Sequence, residues 1–248
     1  LTPLPASKCY LQAVYGRVHS AARAVSAIMA QPAVPCALEF IDGAAIEMIR
    51  AYAAADLPQG AGALLIIEVD GAEGYVDSAA EAVGQAARVE GCLDLKRARD
   101  AREISNLWAT RKALSPALRN VAPGKINEDV VVPVSRLAEL IEGLRDLSEA
   151  HNIPIVNFGH AGNGNLHVNL LIDPRDGQQM RAAERCLDQV FDLVLKLGGT
   201  LSGEHGVGLS KRDFVAREIE PVGLELMRGI KRQFDPKEIL NPDKALPK

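Results

Sequence analysis

The sequence predicts an α+β fold in which βαβ units build a mainly antiparallel sheet with helices on one face. Short apolar runs of strand length alternate with stretches of helical apolar spacing along all 248 residues. The alternation falls into two halves that both read β-α-β, the pattern of split βαβ units. No GxGxxG or GxxxxGK[ST] phosphate loop interrupts it. A doubly wound parallel sheet is the second choice.

In the first half, strands are predicted where apolar and β-branched residues cluster between turn residues. Helices are predicted where alanine-rich segments carry apolar residues three to four positions apart. The predicted strands are Cys9–Tyr15, Ala37–Ile41, Ala63–Val69 and Cys92–Leu95. The predicted helices are His19–Ala30, Gly43–Ala54, Tyr75–Glu90 and Ala98–Asn120.

The second half repeats the theme and ends in a helical segment. Asn163-Gly164 is a hairpin signal between two strands, and Gly198-Gly199 ends the helix that follows them. The predicted strands are Ile126–Val132, Pro154–Phe158 and Asn165–Ile172, and the predicted helices are Val134–His151 and Gly177–Leu197. Two further helices are expected within Lys211–Phe234, before a proline-punctuated tail.

The composition excludes several classes of protein. With 48% hydrophobic and 24% charged residues the chain is an ordinary globular one. The net charge of -4 gives no reason to expect nucleic acid, and no apolar run is long enough to predict a membrane span. Four cysteines without CxxC spacing favour free thiols and a cytoplasmic location. The chain begins at Leu1 with a linker-like Thr-Pro-Leu-Pro, so we expect a piece of a longer protein.

The most informative stretches are Asn157–Asn169 and Gly203–Gly206, which hold three of the five histidines among glycine-rich turns. His160 and His167 flank a six-residue turn and can converge from the two arms of a hairpin. With Glu204 they would make a three-ligand set that leaves open positions, as in a catalytic metal site. The alternative is that these histidines only satisfy hydrogen bonds of the turn backbone.

Other residues carry weaker signals. His205 could serve as a general base beside the metal, although a helix start after Gly206 would also explain the neighbouring Glu204. Alternation along the strand puts Asn169 on the same face as His167. Arg111 could pair with a carboxylate or simply be solvated. Lys125 and Glu128-Asp129, at a strand entry, are weaker candidates still.

Four blocks of this chain resemble the C-terminal part of the flavin-linked 2-hydroxy-acid oxidases and dehydrogenases. That group includes the glycolate oxidase catalytic subunit, D-lactate dehydrogenase and D-2-hydroxyglutarate dehydrogenase. The blocks are Trp108-Ala-Thr-Arg-Lys112, Lys125-Ile-Asn-Glu-Asp-Val-Val-Val-Pro133, Gly159-His-Ala-Gly-Asn-Gly-Asn-Leu-His167 and Gly203-Glu-His-Gly-Val-Gly208, with Ile239-Leu-Asn-Pro-Asp-Lys244 closing the chain.

The resemblance implies that residues 1–248 form a cap, or substrate-binding, domain of ferredoxin-like βαβ units. It implies FAD, held by an N-terminal domain that is absent from this chain, and a divalent zinc or manganese ion. By motif position His160, His167 and Glu204 would be metal ligands and His205 the base that removes the hydroxyl proton. Arg111 and Asn169 would bind a small 2-hydroxy acid. Asn241 would lie near the flavin.

The chain departs from the family pattern at two positions and lacks one element. Asn163 stands where the family more often has Asp, and Asp243 where it more often has Gly. The glycine-rich FAD pyrophosphate loop is missing, so this chain alone should neither hold FAD tightly nor turn over substrate. An electron-transfer subunit or acceptor and a homo-oligomer are possible partners. A stand-alone metal-dependent hydrolase and a non-catalytic assembly module are the alternative functions.

Overall fold

A seven-stranded sheet forms the centre of the computed structural model, which describes residues 3–52 and 58–247. All neighbouring strands within these residues run antiparallel, in the order β4-β1-β3-β2-β6-β7-β5. The strands are β1 Ser7–Tyr15, β2 Ala37–Asp42, β3 Ala63–Gly71, β4 Cys92–Arg97, β5 Gly124–Val131, β6 Ile155–His160 and β7 Asn165–Ile172.

The helices are α1 Val18–Ala30, α2 Gly43–Tyr52, α3 Tyr75–Ala87, α4 Ala101–Val121, α5 Leu137–His151, α6 Gly177–Lys196, α7 Val215–Glu218 and α8 Pro221–Phe234. Short 3-10 turns lie at Val134–Arg136, Ala161–Asn163 and Arg212–Phe214. Every predicted strand and helix is present, with ends that differ by up to three residues. The last two residues of the predicted helix Gly43–Ala54 lie outside the described residues.

The two halves of the chain repeat one arrangement. In the first half α1 connects β1 to β2 and α3 connects β3 to β4, and the strands interleave as β4-β1-β3-β2. In the second half β5, β6 and β7 take the places of β1, β2 and β3. The fourth place is reduced to one bridge between Thr200 and Val131. The two halves join edge to edge through β2 and β6, and their ferredoxin-like character stays a prediction.

Helices cover both faces of the sheet, but unequally. A large core lies between one face and α1, α3, α5 and α6, with Ile28, Val83, Leu140 and Phe191 fully buried in it. The prediction of helices on one face holds for these four. On the opposite face α2 and α4 form a smaller core, and we call this side the α2/α4 face. The prediction placed helices on one face and did not include this second layer. The two helices cover only part of the α2/α4 face, and the strand positions beside them are polar.

Asp42, at the end of β2, links the two halves of the sheet through hydrogen bonds to Asn157 on β6. Its Oδ1 accepts a hydrogen bond from the Ala45 amide at 2.8 Å, which caps the start of α2. Its Oδ2 accepts from the backbone N–H of Asn157 at 2.7 Å and from Nδ2 of the same residue at 3.0 Å. Burial raises the pKa of the Asp42 carboxyl to about 6, against the opposing effect of these donors.

Gly164 closes the turn between β6 and β7 at a position where only glycine fits. Its φ of +72° is left-handed, and an added Cβ would lie 1.9 Å from the carbonyl oxygen of Val132. Gly198, after α6, has a similar φ of +74°, but no atom of the described residues lies within 4 Å of an added Cβ. The tight hairpin turn therefore depends on close backbone approach as well as on backbone conformation.

The C-terminal helix α8 presents an apolar stripe to solvent. Val222, Leu226 and Ile230 are spaced four residues apart and are 74%, 66% and 61% exposed. Leu224 is the buried residue of α8. Among the described residues, none of the helices combines the length and the apolar character needed to cross a lipid bilayer.

Candidate metal and active site

The hairpin of β6 and β7 brings the two histidines of the glycine-rich motif to the α2/α4 face. His160 ends β6 opposite Asn165, and His167 lies on β7 opposite Phe158. Strand alternation sends Leu166 and Val168 into the large core, so His167 between them points to the other face. The segment that carries Glu204 follows α6. It passes along the edge strand β5, where Thr200 bridges to Val131.

His160, His167 and Glu204 converge as predicted. One ligand atom from each lies within 4.8 Å of the other two. The Glu204 Oε1 atom is 3.3 Å from Nε2 of His167 and 3.7 Å from Nε2 of His160. Atoms that bind one ion tetrahedrally at about 2.1 Å lie roughly 3.4 Å apart. The two separations from Glu204 are close to that value, and two imidazoles with one carboxylate are donor types that suit zinc or manganese.

Glu39, on β2, orients the His160 ring from the side opposite Glu204. Register places it directly opposite His160, and its Oε1 contacts Nδ1 of that imidazole. With Nδ1 engaged as a donor to a carboxylate, the lone pair of His160 lies on Nε2, the atom that faces Glu204. Glu39 is 5% exposed, so the charge that fixes this tautomer is shielded from water.

Arg111, on α4, reaches the same carboxylate. Its Nε donates to Oε2 of Glu39 at 2.7 Å, and its guanidinium carbon lies 4.9 Å from the centre of the Phe158 ring. The terminal Nη1 and Nη2 groups donate to none of the described residues. Since Glu39 occupies only Nε, the fork that matches a carboxylate is left for another partner.

His205 lies against a second buried carboxylate. Its ring stacks on that of His167, with centroids 5.3 Å apart, and its Nδ1 is 3.4 Å from Oδ1 of Asp129. Its Nε2 is 3.9 Å from Oε1 of Glu204. One ring nitrogen thus faces a fixed acid and the other faces the three-donor cluster. This is the arrangement that a general base requires.

Over residues 4–245 the chain matches the family described as FAD linked oxidases, C-terminal domain. It belongs to that family. The glycolate oxidase subunit GlcD of Bacillus subtilis is 35% identical over 248 residues, which are 100% of this chain and 53% of that protein. GlcD of Escherichia coli K12 is 31% identical, with 100% and 50% covered. A probable mitochondrial D-lactate dehydrogenase of Danio rerio is 30% identical, with 87% and 44% covered.

Solved structures share the fold of this FAD linked oxidase C-terminal domain. p-Cresol methylhydroxylase with bound substrate superposes with a TM-score of 0.74 at 14% identity, covering 100% of this chain and 54% of that one. The 4-ethylphenol oxidase of Gulosibacter chungangensis gives the same TM-score at 17% identity, with 100% and 55% covered. The chain spans about half the length of the curated relatives it matches.

Asn169 lies two residues after His167 on β7, on the same face of the sheet of this domain. Its Nδ2 donates to the carbonyl oxygens of Val156 and His167, each at 3.1 Å. Its Oδ1 accepts from Nζ of Lys125 at 3.1 Å and from Nδ2 of Asn127 at 2.8 Å. All of its hydrogen-bonding capacity is used inside the domain, so its predicted contact with substrate stays a prediction.

Asn241 is the predicted site residue that the structure does not join to the others. It is exposed in the C-terminal tail with a φ of +47°, and the described contacts of Asn241 are with Lys244. Its predicted place near the flavin depends on a domain beyond this chain.

Burial favours the neutral form of the His167 imidazole. It lowers the pKa of that imidazole, and the repulsion of His160 and Arg111 adds to the effect while Glu204 opposes it. A metal binds the neutral ring, so a lower pKa keeps His167 in its binding form further into the acid range.

Reasoning from the sequence missed Glu39 and Lys211 and undervalued Asp129. Glu39 lies in an apolar run, Ala37–Ile41, and a charged residue in a predicted buried strand was the available signal. Lys211 gave no such signal, because it stands in a polar segment yet is 2% exposed.

Proposed function

We propose that this chain is the substrate-binding half of a flavoenzyme that oxidises a D-2-hydroxy acid to the 2-oxo acid by hydride transfer to FAD. The observation that carries this proposal is the convergence of His160, His167 and Glu204 beside Arg111 and His205 on one sheet face. Family membership supports an FAD-linked oxidase. The names of the relatives support 2-hydroxy acids as the substrate class.

His160, His167 and Glu204 would hold a divalent zinc or manganese ion. The donor set fits, because two neutral imidazoles and one carboxylate leave coordination positions open. When bound, the ion acidifies a hydroxyl group that it contacts. His160 is 38% exposed and Glu204 47% exposed along their side chains, so the open positions are accessible from outside the sheet.

Two cations on this face would bind the substrate carboxylate. Arg111 offers its Nη fork, held in place by Glu39 and the Phe158 ring. Lys125 is anchored by one N–H to Asn169 and keeps two further donors. Asn169 would thus contribute to substrate binding by holding Lys125 in place, although its own amide group is already fully hydrogen-bonded.

His205 would take the hydroxyl proton on Nε2. Asp129 Oδ1 lies 3.4 Å from Nδ1, which favours the tautomer that carries its proton on Nδ1 and would leave Nε2 as the acceptor. Because the ring is stacked on His167, Nε2 stays beside the three-donor cluster. FAD, when bound, accepts the hydride from the α-carbon.

FAD would be held mainly by an N-terminal domain supplied by the rest of a longer protein. The chain spans about half the length of its relatives, which leaves room for such a domain. The exposed stripe Val222, Leu226 and Ile230 on α8 is apolar surface suited to packing against it. The tail that follows α8 would bring Asn241 towards the flavin.

The test restores an N-terminal flavin domain and follows flavin absorbance under anaerobic conditions. We expect bleaching by at least one of glycolate, D-lactate and D-2-hydroxyglutarate in the parent and in the His19→Gln control. His19 is an exposed histidine on α1, on the other side of the sheet. The His205→Gln variant should bind FAD but bleach ~10²–10⁴-fold more slowly. No bleaching by any of the three acids, in protein that holds FAD, would refute the proposal.

The alternative functions receive less support. A metal-dependent hydrolase needs no second domain and no carboxylate-binding arginine, and family membership gives no support for it. A non-catalytic assembly module would explain the apolar stripe on α8 but not the converging histidines. The cytoplasmic location, the electron acceptor or electron-transfer subunit, and the homo-oligomer stay predictions.

A further inference from the structure

Asp129 is a fully buried carboxylate that binds the turn on which Glu204 and His205 stand. Its Oδ2 accepts hydrogen bonds from three successive backbone N–H groups, those of Gly203 at 2.7 Å, Glu204 at 2.6 Å and His205 at 3.0 Å. Ser202 adds its hydroxyl at 3.3 Å from Oδ1. Three consecutive amides on one oxygen define the path of the turn.

Lys211 neutralises this carboxylate from the interior. Its Nζ donates to Oδ1 and to the carbonyl oxygen of Asp129, the latter at 2.9 Å, and to the carbonyl oxygen of Leu201 at 2.7 Å. All three ammonium hydrogens are therefore used. The same nitrogen lies 3.2 Å from Oε2 of Glu128. Lys211 therefore binds the backbone of β5 at Asp129 and the start of the turn at Leu201, as well as the carboxylate whose charge it balances.

Beyond residue 205 the turn is held by backbone hydrogen bonds, from the Lys211 amide to the Val207 carbonyl and from the Ala245 amide to the Gly208 carbonyl. It belongs to no helix or strand, and Gly206 and Gly208 within it have left-handed φ values. Gly203 packs so closely that an added Cβ would lie 2.7 Å from Nδ2 of Asn165. Burial alone would raise the pKa of Asp129, but the Lys211 ammonium and the turn amides outweigh it and hold that pKa well below its usual range.

We infer that Asp129 and Lys211 form a positioning pair that sets Glu204 and His205 in their working places. The inference rests on the proposed function, since it assigns the pair to the metal ligand and the base named there. Neither residue belongs to the proposed metal ligands or to the groups proposed to bind substrate. Their effect passes through the backbone of the turn and through Nδ1 of His205.

The experiment compares cobalt binding and amide exchange in three variants of this chain. Asp129→Ala removes the acceptor. Asp129→Ala combined with Lys211→Met also removes the unbalanced ammonium, which keeps the chain folded if the single variant is not. Asp42→Ala is the matched control, a buried aspartate that also accepts two backbone N–H groups but lies at the start of α2. Cobalt(II) is the probe, because its visible spectrum reports the number and geometry of its ligands.

We expect the double variant to bind cobalt about 10–100-fold more weakly than the parent and with an altered spectrum. In the metal-free chain its amides at 203–205 should exchange with solvent at least roughly tenfold faster. The Asp42→Ala control should lose thermal stability yet keep the parent's cobalt affinity, spectrum and exchange at the turn.

Parent-like cobalt binding and parent-like exchange at 203–205 in the double variant would overturn the inference. A control that weakens cobalt as much as the double variant would also overturn it, since the effect would then be general loss of stability. If the parent itself binds no cobalt, the proposed metal site fails. The exchange measurement then still decides whether Asp129 holds the turn.

Discussion

Replacing Glu39 by Gln should weaken metal binding at the proposed site while removing a single negative charge. The carboxylate serves two donors at once, Nδ1 of His160 and Nε of Arg111. A glutamine has one acceptor oxygen and one donor nitrogen. Because Arg111 can only donate, the amide oxygen must face Arg111 and the amide nitrogen must face His160. His160 then accepts on Nδ1 and carries its proton on Nε2, where the metal would bind.

The expected cost is a loss of metal affinity of about 10–100-fold, which corresponds to about 1.4–2.7 kcal/mol. The size follows from the burial of Glu39, since water cannot replace the lost acceptor at a side chain that is 6% exposed. The assay is a cobalt or zinc titration of the folded chain by competition with a chelator. The tautomer of His160 can be read in the same samples from the nitrogen chemical shifts of its ring.

A suitable control is Glu68→Gln, which breaks the pair between Glu68 on β3 and Lys8 on β1. Glu68 is a similarly buried carboxylate of the same sheet, 8% exposed, and its described hydrogen-bond partners, Lys8 and Cys36, lie outside the site. It should leave the metal affinity unchanged. Should Glu39→Gln bind metal as tightly as the parent, with His160 still protonated on Nδ1, the assigned role of this carboxylate would be wrong.

Three further outcomes are expected. Gly164→Ala should lower the free energy of unfolding, measured in denaturant, by more than Gly198→Ala does. The Gly198→Ala variant costs only the left-handed backbone conformation of alanine, about 1–2 kcal/mol. Equal losses would show that the clash with the Val132 carbonyl oxygen contributes nothing. The folded pKa of Asp42, about 6, lies above the ordinary 3.8, so its stabilising contribution is fully present below the ordinary value and is lost as pH rises through 6. Relative to Asp42→Asn, the free energy of unfolding of the parent should therefore fall by about 3 kcal/mol over that window, and a flat difference would contradict the sign. Leu226→Glu should leave the melting temperature of this chain unchanged but weaken its association with a flavin domain, whereas Val34→Glu, at another exposed apolar position, should change neither the melting temperature nor the association.

The sequence was sufficient to predict the converging ligands and insufficient to predict what holds them. His160 and His167 are joined by a short hairpin whose turn residues are visible in the sequence, so its two arms could be expected to bring them together. Glu204 was expected from its glycine-rich turn and from the family resemblance. Glu39 lies 121 residues from His160, and Asp129 lies 82 residues from Lys211. Such pairs form only when the register between distant strands is known. No local pattern in this chain encodes that β2 lies beside β6.

The position of the Glu204–His205 turn follows from a difference between the two repeats. In the first repeat the fourth strand, β4, pairs with β1 along Leu11–Tyr15, and backbone carbonyls accept its amides. In the second repeat the equivalent segment makes one bridge, at Thr200, and then leaves the sheet. Its next amides, those of Gly203, Glu204 and His205, belong to exposed residues but point inward to a buried side chain. The side chain of Asp129 accepts them in place of a strand's carbonyls. A strand would send Glu204 and His205 to opposite faces, whereas a turn held on one carboxylate oxygen can direct both towards His167. The loss of most of one strand is thus what allows two adjacent residues to serve the same site.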